Sequence, residues 1–266
     1  MDIATIMGIL VFFAMAVATI YHSEGMAGFR PFANMEALLV VMGGTFCATL
    51  VNYPLGQVVG LGKILRKVLF SSGEDTSNIV TIFVTLSQKA KKEGFLSLQA
   101  DIKNIPNDFM RRGIQLVVDG ADQEFISNML ETELGFIRER HKVGQEIFNA
   151  MGIYAPAFGI IGTVLGMIMM LSTISDVNAV PRRMALALAS AFFGLGAGYL
   201  IFLPMGGKLR RRSEEELLIK DIIIRGVLLL QSGATPSVVE TNLKAYLEPS
   251  KRMMVKNPTA PAAPGT

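Results

Sequence analysis

Stretches without charge alternate with charged ones along the chain, and this pattern predicts four membrane-spanning helices. A helix that crosses a bilayer needs about 20 mostly apolar residues, and each uncharged stretch reaches or approaches that length. The second helix is expected to end near Val51, before the Asn52-Tyr53-Pro54 sequence. The uncharged stretches are residues 3–20, 37–62, 147–175 and 184–207.

The first uncharged stretch has the hydropathy of a secretory signal peptide but lacks its other features. Asp2 stands where a signal peptide carries basic residues, and no clear A-x-A cleavage site follows. We therefore expect a retained first helix. Residues 22–36 contain Gly25, Gly28 and Pro31, and these helix breakers predict a loop before the second span.

Most of the charged residues lie between the second and third spans, in residues 63–146. Helix breaks are predicted at Ser71-Ser72-Gly73, at Gly94 and at Ile105-Pro106-Asn107. The helix at 125–146 is expected to continue directly into the third span. No convincing strand is present, because apolar residues recur at helical spacing. An example is the series Ile79, Phe83, Leu86 and Ala90.

The sequence after the fourth span predicts further helices. Although residues 222–224 are all isoleucine, the flanking charges and leucines favour a helix, which is followed by a shorter one at 237–247. The fold class is an all-α membrane protein with four transmembrane helices, a large cytoplasmic helical domain between the second and third, and a cytoplasmic helical C-terminal segment. The predicted domains are 1–62 (first two spans), 63–146 (cytoplasmic), 147–207 (last two spans), 208–248 (C-terminal helices) and 249–266 (a disordered tail rich in Pro and Ala).

Composition supports a membrane protein and argues against several functions. Hydrophobic residues make up 51% of the chain and charged residues 18%, whereas soluble domains carry about 25% charged residues. A net charge of +3 is too small to imply nucleic acid as a partner. The single Cys47 excludes an intrachain disulfide, and His22 and His141 have no ligand-like spacing. No catalytic constellation is present, so we expect neither an enzyme nor a resident cofactor or metal.

Basic residues near the span ends predict the orientation of the chain. Lys63, Arg66 and Lys67 follow span two, and Lys208 with Arg210–Arg212 follows span four. Because basic residues favour the cytoplasmic side, both termini are predicted to be cytoplasmic. Arg182 and Arg183 oppose this assignment, since they would lie outside.

No predicted span carries an acidic residue, lysine or arginine in its middle. Proton and sodium relays normally use such a residue inside the membrane. The chain therefore either conducts nothing, or receives a carboxylate from a partner helix.

Small residues form one face on each of the last two spans. This face has two interpretations: close packing within the subunit, or a smooth wall toward a partner helix or a pore. On a wall, the hydroxyls of Thr163 and Ser190 would contact a passing ion or a carboxylate. The small residues are Gly152, Gly159, Thr163 and Gly166 on span three, and Ala187, Ala191, Gly194 and Gly198 on span four.

Each of these two spans also has a proline near its predicted cytoplasmic end, Pro156 and Pro204. A proline removes one backbone donor and frees an upstream carbonyl. The two residues are either tolerated kinks or hinges that pass a membrane event to the cytoplasmic helices.

Three sequence blocks carry a resemblance to a known family. They are AKKEGFLSLQADI at 90–102, APAFGIIGTVLGMIMML at 155–171 and ALASAFFGLGAGYLIFLPM at 187–205. Together with the four-span plan, they resemble the MotA/PomA family of flagellar motor stator proteins, which shares a superfamily with TolQ and ExbB. The resemblance extends over roughly residues 1–250.

The resemblance implies a homopentameric ring in the bacterial inner membrane. The ring would surround a MotB-like, single-span, peptidoglycan-binding partner that supplies the membrane aspartate. Flow of H⁺ or Na⁺, the transported cation, would turn the ring, and its cytoplasmic domain would push the rotor protein FliG.

By position, the resemblance assigns roles to residues of the spans. Pro156 and Pro204 match the two functional prolines of the family, and Thr163 matches a hydroxyl position on the pore side. Ser190 and Ala191 occupy a pair where threonines are common. Ala191 lacks that hydroxyl, so the choice between H⁺ and Na⁺ stays open.

The resemblance also assigns a rotor-facing site. Lys91 and Lys92 match its basic part, and Asp101 falls in its acidic counterpart. Gln99 stands where a glutamate is usual, and Glu93 or Asp101 is the expected substitute for that charge.

Two other functions compete with the stator. One is a TolQ/ExbB-like energiser that works an envelope-spanning partner, and the other is a purely structural membrane scaffold. The charged insert with its KKEGF sequence favours the stator.

Overall fold

The computed structural model describes the backbone of residues 3–70 and 76–252, and helices are the only regular secondary structure in this part of the chain. The prediction of an all-α protein is confirmed. The α-helices are α1 (Ile3–Glu24), α2 (Met35–Leu38), α3 (Gly44–Asn52), α4 (Leu55–Phe70), α5 (Thr76–Glu93), α6 (Gln99–Ile102), α7 (Asp108–Val118), α8 (Gln123–Ser172), α9 (Ala179–Leu195), α10 (Leu203–Gln231), α11 (Pro236–Lys244) and α12 (Pro249–Arg252).

Four helical stretches are long and apolar enough to cross a membrane, as the sequence predicted: Met7–Phe32, Met35–Asn52, Gln123–Ser172 and Ala179–Gln231. The second stretch joins α2 and α3 through a π-helical segment at Leu39–Gly43, and the fourth joins α9 and α10 through another at Gly196–Phe202. The predicted continuation of a charged helix into span three is confirmed, because α8 is one helix.

The loop predicted at 22–36 is mostly wrong. After α1, residues Gly25–Phe32 form a 3₁₀ helix, and irregular backbone is limited to the two residues before α2. Gly25 has a φ of +61°, which glycine adopts without strain, so it ends α1 but does not stop helical winding. The ring of Phe32 then packs edge-to-face on Phe192 of α9, with 5.2 Å between centroids.

Two of the three predicted helix breaks are confirmed, and the third, at 71–73, lies outside the described residues. Gly94 has a φ of +82° and follows the last residue of α5. The break at 105–107 separates α6 from α7. There the side chain of Asn107 caps α7 by accepting a hydrogen bond of 3.0 Å from the backbone N–H of Met110.

The chain divides into two compact units. Among the described residues, the charged unit contains 76–139 and 213–252. Its core includes Phe83 of α5, Met110 of α7 and Ile222 of α10. Gly226 of α10 lets Phe83 approach closely, because a Cβ placed on Gly226 would lie 2.6 Å from the ring. The insert after span two and the segment after span four therefore share one core.

The span unit contains residues 3–70 and 140–212. Its core is small and includes Val58 of α4, Phe148 of α8 and Phe202 at the end of the second π-helical segment. Helix α1 stands apart, since it packs closely only against the 3₁₀ helix that follows it. None of its described side chains, from Met7 to Glu24, is buried.

The first four residues of the tail predicted to be disordered are helical instead. Residues Pro249–Arg252 form one helical turn, α12. Proline suits the first position of a helix because its missing N–H has no acceptor there. The guanidinium of Arg252 also donates a hydrogen bond of 2.9 Å from Nε to the carbonyl of Leu247. Residues 253–266 lie outside the described part of the chain.

Candidate functional site

The small faces of α8 and α9 pack against each other. A Cβ placed on Gly194 would lie 2.7 Å from the carbonyl oxygen of Ala155 and 2.8 Å from the Cα of Gly159. Farther along, a Cβ on Gly166 would lie 2.7 Å from the Cβ of Ala187. Small residues let helix backbones approach closely in a membrane. These small residues therefore pack within the chain, as the first of the two interpretations of the faces predicted, while a contact of Thr163 or Ala191 with a partner or a pore stays a prediction.

Thr163 lies half-buried at this contact and hydrogen-bonds within it. Its hydroxyl is 3.0 Å from the carbonyl oxygen of Gly159 in its own helix and 3.1 Å from that of Ala187 in α9. The single hydroxyl proton is used by these carbonyls, while the lone pairs of Oγ1 point elsewhere. Thr163 can therefore still accept a hydrogen bond or contact a cation through those lone pairs.

Replacing Thr163 by valine is expected to weaken the contact between α8 and α9. Valine has a similar shape but cannot donate to Ala187, and a hydrogen bond between membrane helices contributes about 0.6–1 kcal/mol. Thermal unfolding in detergent should show a loss of this size. Thr19→Val is the matched control, because the exposed Thr19 hydroxyl donates only to Met15 of its own helix at 2.8 Å. Equal losses in both variants would contradict the interhelical role.

Ser190 and Ala191 differ in exposure, although they are neighbours. Ser190 is completely buried and donates a hydrogen bond of 2.8 Å to the carbonyl of Leu186. Its side chain faces Gly162, where an added Cβ would meet both Ser190 and Val40. Ala191 is half-exposed. Thus Ser190 lies inside the packing of this chain, and Ala191 is the more accessible of the two.

Two further buried hydroxyls were not singled out in the sequence. Thr45 and Thr49 are completely buried in α3. Each donates to the carbonyl four residues earlier, Thr45 to Val41 at 2.6 Å and Thr49 to Thr45 at 2.7 Å. Their spacing of four places them on one helical face, and this spacing was the only signal in the sequence.

Pro156 packs against the second π-helical segment. A Cβ placed on Gly198 would lie 2.7 Å from the Pro156 ring and 2.8 Å from the carbonyl oxygen of Gly152. Gly152 is the residue whose carbonyl loses its helical donor because residue 156 has no N–H. The backbone of Gly198 therefore packs directly against the part of α8 where Pro156 interrupts the helical hydrogen bonds.

Pro204 lies two residues after the end of the same π-helical segment. The N–H of Leu203 donates to the carbonyl of Gly198, five residues earlier, which is the π-type pattern. The side chain of Leu203 covers Gly152, where an added Cβ would meet it at 2.6 Å. Pro156, predicted as a kink or a hinge, thus contacts the segment that precedes the second such proline, Pro204, which is itself exposed. We call this contact, formed by Gly152, Pro156, Gly198 and Leu203, the proline joint.

The charged residues near the span ends that were predicted to face outward include one ion pair. Arg183 of α9 lies 3.8 Å from the carboxylate of Glu36 in α2, and its guanidinium also contacts the sulfur of Met169 at 3.6 Å. Arg182 is exposed. Of the two arginines that oppose the predicted orientation, Arg183 therefore has an acidic partner within the chain.

The predicted rotor-facing residues lie around the turn that ends α5. Lys91, Lys92 and Glu93 are exposed and occupy the last turn of the helix; we call these three residues the charged tip. Basic side chains at this place also complement the helix dipole, which is a structural reason for their presence. The tip therefore carries a net charge of +1 on accessible side chains.

Asp101 and Gln99 both interact within the chain. Asp101 accepts a hydrogen bond of 2.8 Å from the ammonium of Lys89. This bond raises the pKa of Lys89, so the stabilisation that it gives is present at neutral pH and is lost only as the pH rises through the raised pKa. Gln99 contacts Gln115, with side-chain nitrogen–oxygen distances of 3.4 and 3.5 Å. Of the two acids expected to replace the missing glutamate, Glu93 is the more accessible.

No group of three His, Cys, Asp or Glu side chains comes together as a metal site in the part of the chain that the structure describes.

Comparisons with known proteins identify relatives along nearly the whole chain. The model of the MotA/TolQ/ExbB proton channel family matches residues 101–222. Chemotaxis protein PomA of Vibrio alginolyticus is 34% identical, covering 96% of this chain and 98% of that protein. Motility protein A of Borreliella burgdorferi is 35% identical, covering 97% of this chain and 98% of that protein. A subunit in the structure of the flagellar MotAB stator complex from Bacillus subtilis superposes with a TM-score of 0.85 at 29% identity, covering 95% of this chain and 98% of that subunit.

Proposed function

Since the chain belongs to the MotA/PomA family of flagellar motor stator subunits, within the MotA/TolQ/ExbB proton channel family, we propose that it couples cation flow across the bacterial inner membrane to torque on the flagellar rotor. The observation that carries this proposal is the match over nearly the full length of motility proteins, in sequence and in fold. The chain is a motor stator subunit rather than an enzyme. The same match favours the stator over a TolQ/ExbB-like energiser.

The partner that we propose is a MotB-like subunit with a single span and a peptidoglycan-binding domain. The apolar stretches of the four spans, residues 7–20, 37–52, 147–172 and 184–207, contain no carboxylate, lysine or arginine. Since cation relays inside membranes use such groups, the aspartate that binds H⁺ or Na⁺ has to come from another polypeptide. The solved relative is itself part of a MotAB complex, which supports a partner of this kind.

We propose that several copies of the chain, five in the family pattern, form a ring around that partner in the lipid bilayer. The span unit would contact lipid and the partner, while residues 63–146 and 208–248 would lie in the cytoplasm with both termini. The basic residues after spans two and four support this orientation. Thr163 and the half-exposed Ala191 are the proposed contacts with the cation or with the partner's carboxylate, and the buried Ser190 supports the packing beside them.

The cation is identified by a swimming experiment. Cells that depend on this chain and its partner swim in media with and without sodium, while the proton motive force is held constant. Speed that follows the sodium concentration identifies Na⁺ as the coupling ion, and unchanged speed identifies H⁺. If expression of the chain with its partner restores no swimming to a strain lacking its stator, the proposed function is wrong.

The charged tip is the proposed contact with the rotor protein FliG. Reversing Lys91 and Lys92 to glutamate is expected to reduce torque severely while the subunit still folds and assembles. Both side chains are exposed at a helix end, so their loss removes no packing, whereas opposite charge repels an acidic partner surface. Speed of tethered cells measures the torque, and fluorescent foci of labelled stators measure assembly.

The matched control for the charged tip keeps the charge. The double replacement Lys91→Arg and Lys92→Arg should leave torque and foci nearly unchanged. Both positions are exposed, and arginine keeps the positive charge at each of them. Normal torque in the glutamate variant would remove the tip from the rotor contact.

A further inference from the structure

Asp101 is brought beside the end of α5 by a reversal of the chain. Helix α5 ends at Glu93, and Gly94 follows it with a φ of +82°, a conformation that glycine adopts without strain. After this turn, Leu98 and Ile102 are buried in the core of the charged unit, with exposed fractions of 0% and 6%. These two side chains anchor the short helix α6, and the position of Asp101 is fixed with it.

The carboxylate of Asp101 binds the ammonium group of Lys89. Its Oδ2 accepts a hydrogen bond of 2.8 Å from Nζ. The side chains are exposed to 29% for Lys89 and 37% for Asp101, so water screens this pair less than a pair on an open surface. A hydrogen bond between two charged groups is also stronger than one between neutral groups. Lys89 therefore directs its charge toward α6.

Lys89 has a second acidic neighbour, Glu93, on its own helix. The two residues are four positions apart, so they lie about 40° apart around α5 and one turn from each other. Lysine and glutamate at this spacing can form an ion pair on a helix surface. The hydrogen bond to Asp101 is the largest cause of the raised pKa of Lys89, and the negative charge of Glu93 adds to it. Two carboxylates thus compete for one ammonium group.

The structure resolves this competition in favour of Asp101. Lys89 is paired with Asp101, and the exposed carboxylate of Glu93 stays outside that ion pair. Glu93 is the acidic member of the charged tip, whose other members are Lys91 and Lys92. Charges at an interface select the partner and fix its register, so a carboxylate that is occupied within the chain would be lost to the rotor.

We propose that Asp101 is a positioning residue of the rotor contact, which holds Lys89 away from Glu93 and so keeps the carboxylate of Glu93 available to the rotor. This inference rests on the proposed stator function and on the charged tip as the rotor contact. Asp101 itself does not touch the rotor in this arrangement. When its charge is removed, Lys89 turns to Glu93, and the tip loses its negative charge for part of the time.

The test measures torque in three variants of the full chain, expressed with its partner. Asp101→Asn keeps the shape of the side chain and removes its charge. It is expected to lower the torque about twofold, because an exposed pair at this spacing is weak and forms only about half of the time. Lys89→Gln should keep the parent torque, since no ammonium group is left to occupy Glu93. For the same reason, the double variant Asp101→Asn with Lys89→Gln should recover the parent torque.

The double variant separates this role from the other two that Asp101 could have. A direct contact with the rotor would leave the double variant as slow as Asp101→Asn. A simple structural brace would make Lys89→Gln alone as slow as Asp101→Asn. Either result would overturn the inference, and so would parent torque in Asp101→Asn. Fluorescent foci of labelled stators show that each variant assembles.

A second measurement detects the exchange of partners directly and does not depend on motility. A water-soluble carbodiimide joins an amine to a contacting carboxylate as an amide, and mass spectrometry of the digested protein locates the link. The purified parent chain with its partner is expected to show a link between Lys89 and Asp101, and Asp101→Asn a link between Lys89 and Glu93. Absence of the second link would overturn the inference. If the parent restores no swimming, the stator role is wrong, and the crosslinks still decide whether Asp101 controls the pairing of Lys89.

Discussion

Replacing Gly194 by alanine is expected to abolish swimming and to destabilise the subunit. The new methyl group would lie 2.7 Å from the Ala155 carbonyl oxygen and 2.8 Å from the Cα of Gly159. Both neighbours are backbone atoms of α8, which have no rotamer to change, so the two spans have to move apart. Overpacking typically costs about 1–3 kcal/mol, and a contact of backbone with backbone belongs at the upper end of this range.

The matched control is Gly196→Ala, two residues along the same span. No atom lies within 4 Å of a Cβ at Gly196, so this variant should swim normally and melt at the parent temperature in detergent. Soft-agar motility and thermal unfolding measure the two effects. If Gly194→Ala and Gly196→Ala behave alike, the close packing of α8 on α9 at Gly194 is not required for stability or motility.

Replacing Pro156 by leucine is expected to remove torque without lowering stability. Leucine restores an N–H that can donate to the carbonyl of Gly152, and a proline inside a helix costs about 3 kcal/mol, so α8 should become straighter and at least as stable. The same change removes the Pro156 ring that packs against Gly198. It also gives the Gly152 carbonyl oxygen, which lies next to Gly198, a hydrogen-bond donor within α8. The proline joint then loses the close contact that connects Pro156 to the π-helical segment before Pro204.

The diagnostic result for Pro156→Leu is a protein that accumulates, melts no earlier than the parent and generates no torque. Pro181→Leu is the control, because Pro181 lies in the first turn of α9, where a backbone N–H has no helical acceptor. That variant should swim normally. Full motility of Pro156→Leu would support a purely structural scaffold and exclude a hinge at this position.

The sequence predicted the helices because burial along a helix is a local, periodic property. The series of Ile79, Phe83 and Leu86 is an example, since all three are buried as their spacing predicted. The sequence predicted less about which helix faces pack against each other. The small residues marked one face of each span, but only the structure places Gly194 against Gly159, because identical patterns arise from packing within a chain and between chains.

Contacts that depend on a turn or on an irregular helix were not predictable. Asp101 reaches Lys89 only because Gly94 reverses the chain between them, and nothing in the sequence fixes that distance. The π-helical segment at Gly196–Phe202 has no composition of its own, since its glycines and apolar residues suit an ordinary membrane helix equally well. Its position just upstream of Pro204 has a physical reason, because a proline removes a backbone donor and π-type hydrogen bonds accommodate the change.

The isolation of α1 within the chain determines how changes in it should be interpreted. A helix that packs closely only on the segment after it contributes little shape to its own subunit, so hydropathy is the main requirement that the chain places on it. Exchange of one apolar residue for another in α1 should leave the folding of an individual subunit unchanged. Any position where such an exchange impairs function therefore reports on a molecule outside the chain, either the surrounding lipid or an adjacent polypeptide. A substitution scan of α1 is thus a map of its external neighbours.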